Sequence, residues 1–153
     1  LSKGILSDGV GNQSLSVMDN PPLEEYEKSM IAFSECGLDV HITEMDITAI
    51  PFPDMSVGAE ISSSYEYQER MNPYANGLTD SARVALHDRY LDFFELFLRH
   101  QDKIKRVTMW GVVDHHSWRQ NWPIRGRTDF PLLFDREYQA KPIVESIINA
   151  AKQ

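Results

Sequence analysis

Apolar and polar positions alternate most clearly along Leu38-Asp39-Val40-His41-Ile42-Thr43-Glu44-Met45-Asp46-Ile47, the period-two pattern of a β-strand. Side chains alternate along a strand, so Leu38, Val40 and Ile42 are expected on one face with Glu44 and Asp46. A face that is apolar for three positions and then carries two carboxylates reads as a sheet or barrel interior reaching its rim. A carboxylate there is costly unless it is hydrogen-bonded, paired or used. Glu44 is therefore a candidate catalytic group, with a solvated strand-end glutamate as the plainer alternative.

The remaining pattern alternates strands with helices. Asp8 to Gln13 is a short strand whose glycines permit close backbone approach, with Gln13 near its mouth. Asp19-Asn20-Pro21-Pro22 opens a helix with Glu24 and Glu25 in its first turn, where the dipole favours them. Leu23, Tyr26, Met30 and Phe33 share its apolar face, and Gly37 is placed to stop it. Residues 48–78 lose all periodicity amid prolines, glycines and serines. A loop of that length after a carboxylate strand reads as a substrate-facing excursion, against a surface loop with no ligand role. Thr79 or Asp80 then caps a helix carrying Leu86, Tyr90, Phe93 and Phe97 at helical spacing, with His87 and His100 expected on solvated faces. A third strand covers Arg106 to Val112, and a last helix presents Ile143, Ile147 and Ala151, with Pro142 in its first turn.

Composition narrows the function more than it identifies it. With 15 Lys and Arg against 23 Asp and Glu, the net charge is −8, and no basic stripe is available for a nucleic-acid partner. The single cysteine, Cys36, excludes an internal disulfide and a cysteine metal cluster, and is expected as a small core residue at a helix end. No run is long or apolar enough for a membrane span, and the first ten residues lack a signal peptide's basic start and apolar centre. The chain opens without an initiator methionine and reads as a piece of something longer.

Two stretches after the third strand bear on chemistry. Trp110 and Trp118, with Trp122 close behind, offer flat apolar area with little entropy to lose, a natural platform for a sugar ring. A lone tryptophan would more often be core; three in this short span favour binding. Asp114-His115-His116 invites a metal reading, but adjacent histidines on an extended segment point to opposite sides and no fourth ligand stands at useful spacing, so no metal is assigned. The segment from Arg125 to Asp135 is a loop that ends apolar and is anchored to the body.

Strand, helix, strand, helix, strand, helix, with each suspected ligand residue at a strand's carboxyl end, is the layout of an α/β protein that binds at one rim. Barrel enzymes share that rule, yet a closed eight-fold barrel needs about 250 residues. Three parallel strands alone leave both edges unpaired and the inner face open. The isolated chain is accordingly expected to be unstable, aggregated or oligomeric.

The run Val40 to Ile47 (VHITEMDI), the run Val107 to Gly111 (VTMWG) with Trp118 after it, the stretch Trp122 to Asp135 (WPIRGRTDFPLLFD) and the piece Asn72 to Leu78 (NPYANGL) resemble the C-terminal part of glycoside hydrolase family 10. That is the family of retaining endo-β-1,4-xylanases built on a (β/α)8 barrel, and the likeness covers essentially the whole chain. It implies an α/β fold consisting of strands six to eight of the barrel with their helices, the rest of the barrel being supplied by an N-terminal part. It also implies xylan or xylo-oligosaccharides as the partner, no cofactor, and a secreted, periplasmic or cell-surface location. Glu44 matches the family's nucleophile, Asp46 the residue that supports it through the hydrogen-bond network, and Gln13 a glutamine lining the catalytic subsite. Trp110 and Trp118 match the tryptophans that wall the glycone side. The sequence departs from the family where Leu15 replaces a histidine that hydrogen-bonds the nucleophile, which removes a partner that tunes Glu44. The resemblance also places the acid/base glutamate on strand four, which is not in this chain. A non-catalytic xylan-binding protein is the alternative that Leu15 raises.

Overall fold

A computed structural model of the chain describes residues 7–54, 56 and 58–153. Its centre is a parallel sheet. The long strand β3 (Asp39–Thr48) is flanked on one edge by β1 (Gly9–Asn12) and β2 (Leu15–Val17), and on the other by β4 (Ile104–Met109). β1 and β2 are one strand broken in the middle. Ser14 sits at φ 60°, and on either side of it the chain pairs first with Asp39 to Ile42 and then with Asp46 to Thr48. The three expected strands are thus present, the first divided by a left-handed residue.

The helices cover one side of this sheet. α1 (Leu23–Glu35) buries Tyr26 and Met30, and α4 (Asp80–Arg99) buries Leu86, Tyr90, Phe93, Leu96 and Phe97. Phe93 meets the Tyr26 ring edge-on at a centroid distance of 5.0 Å, a favoured aromatic geometry. Against them lie Val40, Ile42, Met45 and Ile47 of β3, and Ile143 of α5 (Pro142–Ala150). Thr79 caps α4 by accepting from the Ala82 amide, and Pro142 occupies the first turn of α5, both as the sequence indicates. Gly37, at φ 76°, follows the end of α1 in the left-handed conformation that favours glycine there.

One consequence of the register corrects the sequence reading. Val40 and Ile42 share the helix-facing core with Met45 and Ile47, an odd step between 42 and 45 that strict alternation forbids. The pairing of β3 with β4 slips between Ile42 and Met45, so an extra residue is taken up there as in a β-bulge. Glu44 and Asp46 therefore lie opposite Val40 and Ile42, not beside them. Below the slip, His41 and Thr43 face the glycines of β1. A Cβ at Gly9 or Gly11 would come within 3.1 Å of the His41 ring or the Thr43 methyl.

Other expectations also change. Phe33 is 38% exposed near the end of α1, and Cys36 is an exposed free thiol rather than core. No side-chain cap forms at the start of α1; the N-cap position is Pro22. His100 and His87 are not on solvated faces: His100 Nε2 lies 2.6 Å from Glu27 of α1, and His87 Nε2 lies 3.0 Å from the Ser146 hydroxyl of α5. Both tie α4 to a neighbouring helix. Residues 48–78 contain two short helices, α2 (Ala59–Ser62) and α3 (Tyr65–Met71), and the stretch is fastened where Asn72 Oδ1 accepts from the Thr128 amide at 2.9 Å. Among the described residues no helix is long and apolar enough to cross a membrane.

Candidate active site

Parallel strands deliver their carboxyl ends to one rim, and the sequence-predicted residues gather there. Gln13 stands just past β1, where its carbonyl accepts from the Glu44 amide at 3.0 Å, fixing the two residues side by side. The Gln13 amide nitrogen then donates to Glu44 Oε1 at 3.3 Å. Glu44 is only partly buried and stays open to a ligand. Beyond it, Asp46 and Thr48 are fully buried on the same strand.

Asp46 is satisfied from the loop after β4. The Arg119 guanidinium donates through Nε at 2.9 Å and Nη2 at 2.7 Å to Asp46 Oδ1, and the Trp118 indole donates to Oδ2 at 2.8 Å. Burial pushes the Asp46 carboxyl up, and the Arg119 and Trp118 bonds pull it back part of the way. Among the described residues Asp46 has no hydrogen bond to Glu44. One rung further, the Thr48 hydroxyl donates to Asp129 at 2.8 Å, and Asp129 also accepts from Arg127 Nη2 at 2.6 Å. Two buried charge pairs therefore lie on the same face as the part-buried carboxylate.

The tryptophans divide. Trp110 continues the ladder of β4 by donating its amide to the Met45 carbonyl at 2.9 Å, and its side chain is 46% exposed. The turn after it requires Gly111, at φ 139°, where a Cβ would sit 2.7 Å from Leu132. Trp118 is 38% exposed and rests obliquely on Trp122, with ring centroids 5.1 Å apart. Trp110 has no ring contact with either among the described residues. Leu15 pairs in register with Asp46, so an apolar side chain occupies the sheet position next to that carboxylate.

Asp114, His115 and His116 form a turn of 3-10 helix rather than an extended segment, which brings the two imidazoles to 4.0 Å with Tyr138 beside them. Asp114 is buried and paired with Lys141 Nζ at 2.8 Å. Among the described residues no group of three His, Cys, Asp or Glu is placed to hold a metal ion. A cavity of about 470 Å³ between α4 and residues 130–143 includes none of Gln13, Glu44, Asp46 or the tryptophans, and is separate from the site.

Sequence reasoning missed Arg119, Arg127 and Asp129. Each lies in a stretch that reads as loop, where charge ordinarily signals solvent. The available hint was the Arg127 and Asp129 alternation in a segment already expected to anchor to the body.

The sheet thus brings an accessible glutamate, a glutamine bonded to its carboxylate and two part-exposed tryptophans to the same rim. The sequence model of Glycosyl hydrolase family 10 matches residues 1–150, and the chain belongs to that family. It is 47% identical over 145 residues to Endo-1,4-beta-xylanase A of Xylanibacter ruminicola, covering 95% of this chain and 39% of that protein. It is 31% identical over 149 residues to an Endo-1,4-beta-xylanase of Geobacillus stearothermophilus, covering 96% of this chain and 40% of that one. A solved GH10 endoxylanase retrieved from a sugarcane soil metagenome superposes with a TM-score of 0.83 at 37% identity, covering 98% of this chain and 41% of its own. The chain thus spans about two fifths of the length of these relatives, and its fold is that of part of their barrel.

Proposed function

We propose that this chain is the C-terminal portion of a retaining endo-β-1,4-xylanase, comprising strands six to eight of the barrel and carrying the nucleophile Glu44. In that reading β1 with β2 is strand six, β3 strand seven and β4 strand eight. The observation that carries it is the placement of Glu44: a half-open carboxylate in the carboxyl-terminal half of a strand, oriented by the Gln13 amide. Held there, it attacks the anomeric carbon of a xylosyl unit as the bond to the leaving sugar breaks, giving a glycosyl-enzyme that water then hydrolyses. Gln13 reaches sugar hydroxyls beside it, Asp46 supports the site from behind, and Trp110 and Trp118 wall the glycone side. The loop of residues 48–78 borders the substrate. The second carboxyl group, which must stand roughly 5 to 5.5 Å from the nucleophile, comes from strand four, in the part of the barrel outside this chain. Export from the cell follows from the polymeric substrate.

Reducing-end release from xylan tests this with three samples: this chain alone, the complete barrel, and the complete barrel carrying Glu44→Gln. The expected result is turnover by the complete barrel only, with oligosaccharide binding retained in the variant. Turnover by the variant would overturn the assignment. By itself the chain is expected to associate through its open strand edges, read as a concentration-dependent mass in sedimentation. A monomer melting cooperatively at every concentration would contradict that.

Leu15 supports a second reading, a xylan-binding protein whose chemistry has decayed. A complete barrel that binds xylo-oligosaccharides but cleaves them only after Leu15→His would establish it, and cleavage with Leu15 in place would exclude it.

A further inference from the structure

We propose that Asp46 and Arg119 are positioning residues for the Trp118 indole, and that they set the affinity of the sugar-binding wall rather than the reactivity of the nucleophile. The inference rests on the xylanase reading above and assigns a task to Arg119 that the reading leaves open.

The bonding around Asp46 carries the argument. A carboxylate offers about four acceptor sites. Here Oδ1 takes both Nε and Nη2 of Arg119, and Oδ2 takes the Trp118 indole N–H. All three donors come from two consecutive residues of one loop. Glu44 sits two residues away on β3, but its side-chain partner is Gln13. The hydrogen-bond network thus runs from the strand outward to the tryptophan, and not across to the nucleophile.

Arg119 holds the same ring in a second way. Its guanidinium carbon lies 4.9 Å from the Trp118 ring, within cation–π range, and 5.7 Å from the Phe52 ring. Trp118 is therefore fixed along its edge by Asp46 and across its face by Arg119, with Trp122 resting against it. What remains is an indole locked in orientation and still 38% exposed. A ring so held loses little further freedom when a sugar stacks on it, and lower ordering cost appears as affinity.

This also gives a reason for burying an ion pair. Taking Asp46 and Arg119 out of water is expensive, and an apolar pair of similar volume would often be as stable. A guanidinium that puts two N–H groups on one carboxylate oxygen, while the other oxygen holds the indole, has a directional geometry that an apolar contact lacks. The Phe52 contact extends the arrangement to the loop after β3, so that segment and the loop after β4 meet over one guanidinium.

Steady-state kinetics on xylo-oligosaccharides, with the complete barrel carrying Trp118→Phe, Arg119→Met, Arg119→Lys or the Trp118→Phe/Arg119→Met pair, tests the proposal. Trp118→Phe keeps an aromatic face but removes the N–H that Asp46 holds, together with the second ring, so an unchanged affinity would be decisive against the proposal. We expect Trp118→Phe and Arg119→Met each to weaken binding about tenfold, with the loss on KM far more than on kcat. The pair should be little worse than the weaker single variant, because both act through one ring. Arg119→Lys, which keeps charge but not the fork, should fall between. The acidic limb of the kcat/KM profile, which reports ionisation of the nucleophile, should not move.

A shifted acidic limb, or a kcat loss at unchanged KM, would overturn the proposal by showing that the pair acts on Glu44. Fully additive losses would show that Arg119 does not act through Trp118. Should Arg119→Met fail to fold, Trp118→Phe decides alone: unchanged affinity overturns the proposal. If the unmodified barrel binds oligosaccharides without cleaving them, the hydrolase reading fails while the same comparison proceeds on Kd by calorimetry. If it binds none, both fall.

Discussion

The two faces of β3 each contain fully buried residues, held there by different physics. Toward the helices, Val40, Ile42, Met45 and Ile47 are all 1% exposed or less and belong to one cluster of apolar and aromatic side chains. Toward the rim, Asp46 and Thr48 are equally inaccessible, but every contact that makes burial tolerable is directional: Arg119, Trp118 and Asp129. The first face is held by area removed from water, which is indifferent to orientation. The second is held by charge and hydrogen-bond geometry and is unforgiving of small chemical changes. A strand can thus be robust on one side and specific on the other.

That contrast is broken or sharpened by conservative substitutions, measured as urea unfolding of the complete barrel. The largest effect is expected from Asp46→Asn, nearly isosteric, which leaves the Arg119 guanidinium buried without a countercharge; about 3–5 kcal/mol should be lost. On the opposite face, Ile47→Val removes one methylene and should cost about 0.5–1.5 kcal/mol. Equal losses would erase the distinction. The smallest effect concerns a pair outside both faces. The His100 contact to Glu27, assisted by Arg99, holds the Glu27 carboxyl below its ordinary value. A depressed carboxylate stabilises the fold above its unfolded pKa, and the contribution is lost as pH falls through the lower folded value. Glu27→Gln should therefore lower thermal stability slightly at neutral pH, where the contribution is present, and flatten the shallow decline toward acid pH, where it is already lost. An identical acid profile would remove the role of this pair.

How far the sequence could be read follows the same division. The helix-facing core was legible because burial leaves a period: Tyr26 and Met30 on α1, and Leu86, Tyr90, Phe93 and Phe97 on α4, recur at helical spacing. Glu44 beside Gln13 was legible from strand order and from the family resemblance. The bulge was not. Nothing in Thr43-Glu44 differs from an ordinary strand, so alternation carried Val40 and Ile42 to the wrong face. Nor was the support of the rim legible, because its partners lie far apart in sequence. Arg119 lies 73 residues from Asp46, and Asp129 lies 81 from Thr48. A charged residue in a loop looks solvated until the fold supplies its counterion. His100 and His87 misled for the same reason, since Glu27 and Ser146 reach them from other helices.

The central claim is that Glu44 is the residue that bonds to the sugar. The most direct measurement is to incubate the complete barrel with an activated 2-deoxy-2-fluoro xylobioside, which forms the glycosyl-enzyme readily and releases it slowly, and to locate the added mass by peptide mass spectrometry. A single adduct is expected on the peptide containing Glu44, lost in Glu44→Gln. An adduct on any other carboxylate in an active enzyme would contradict it.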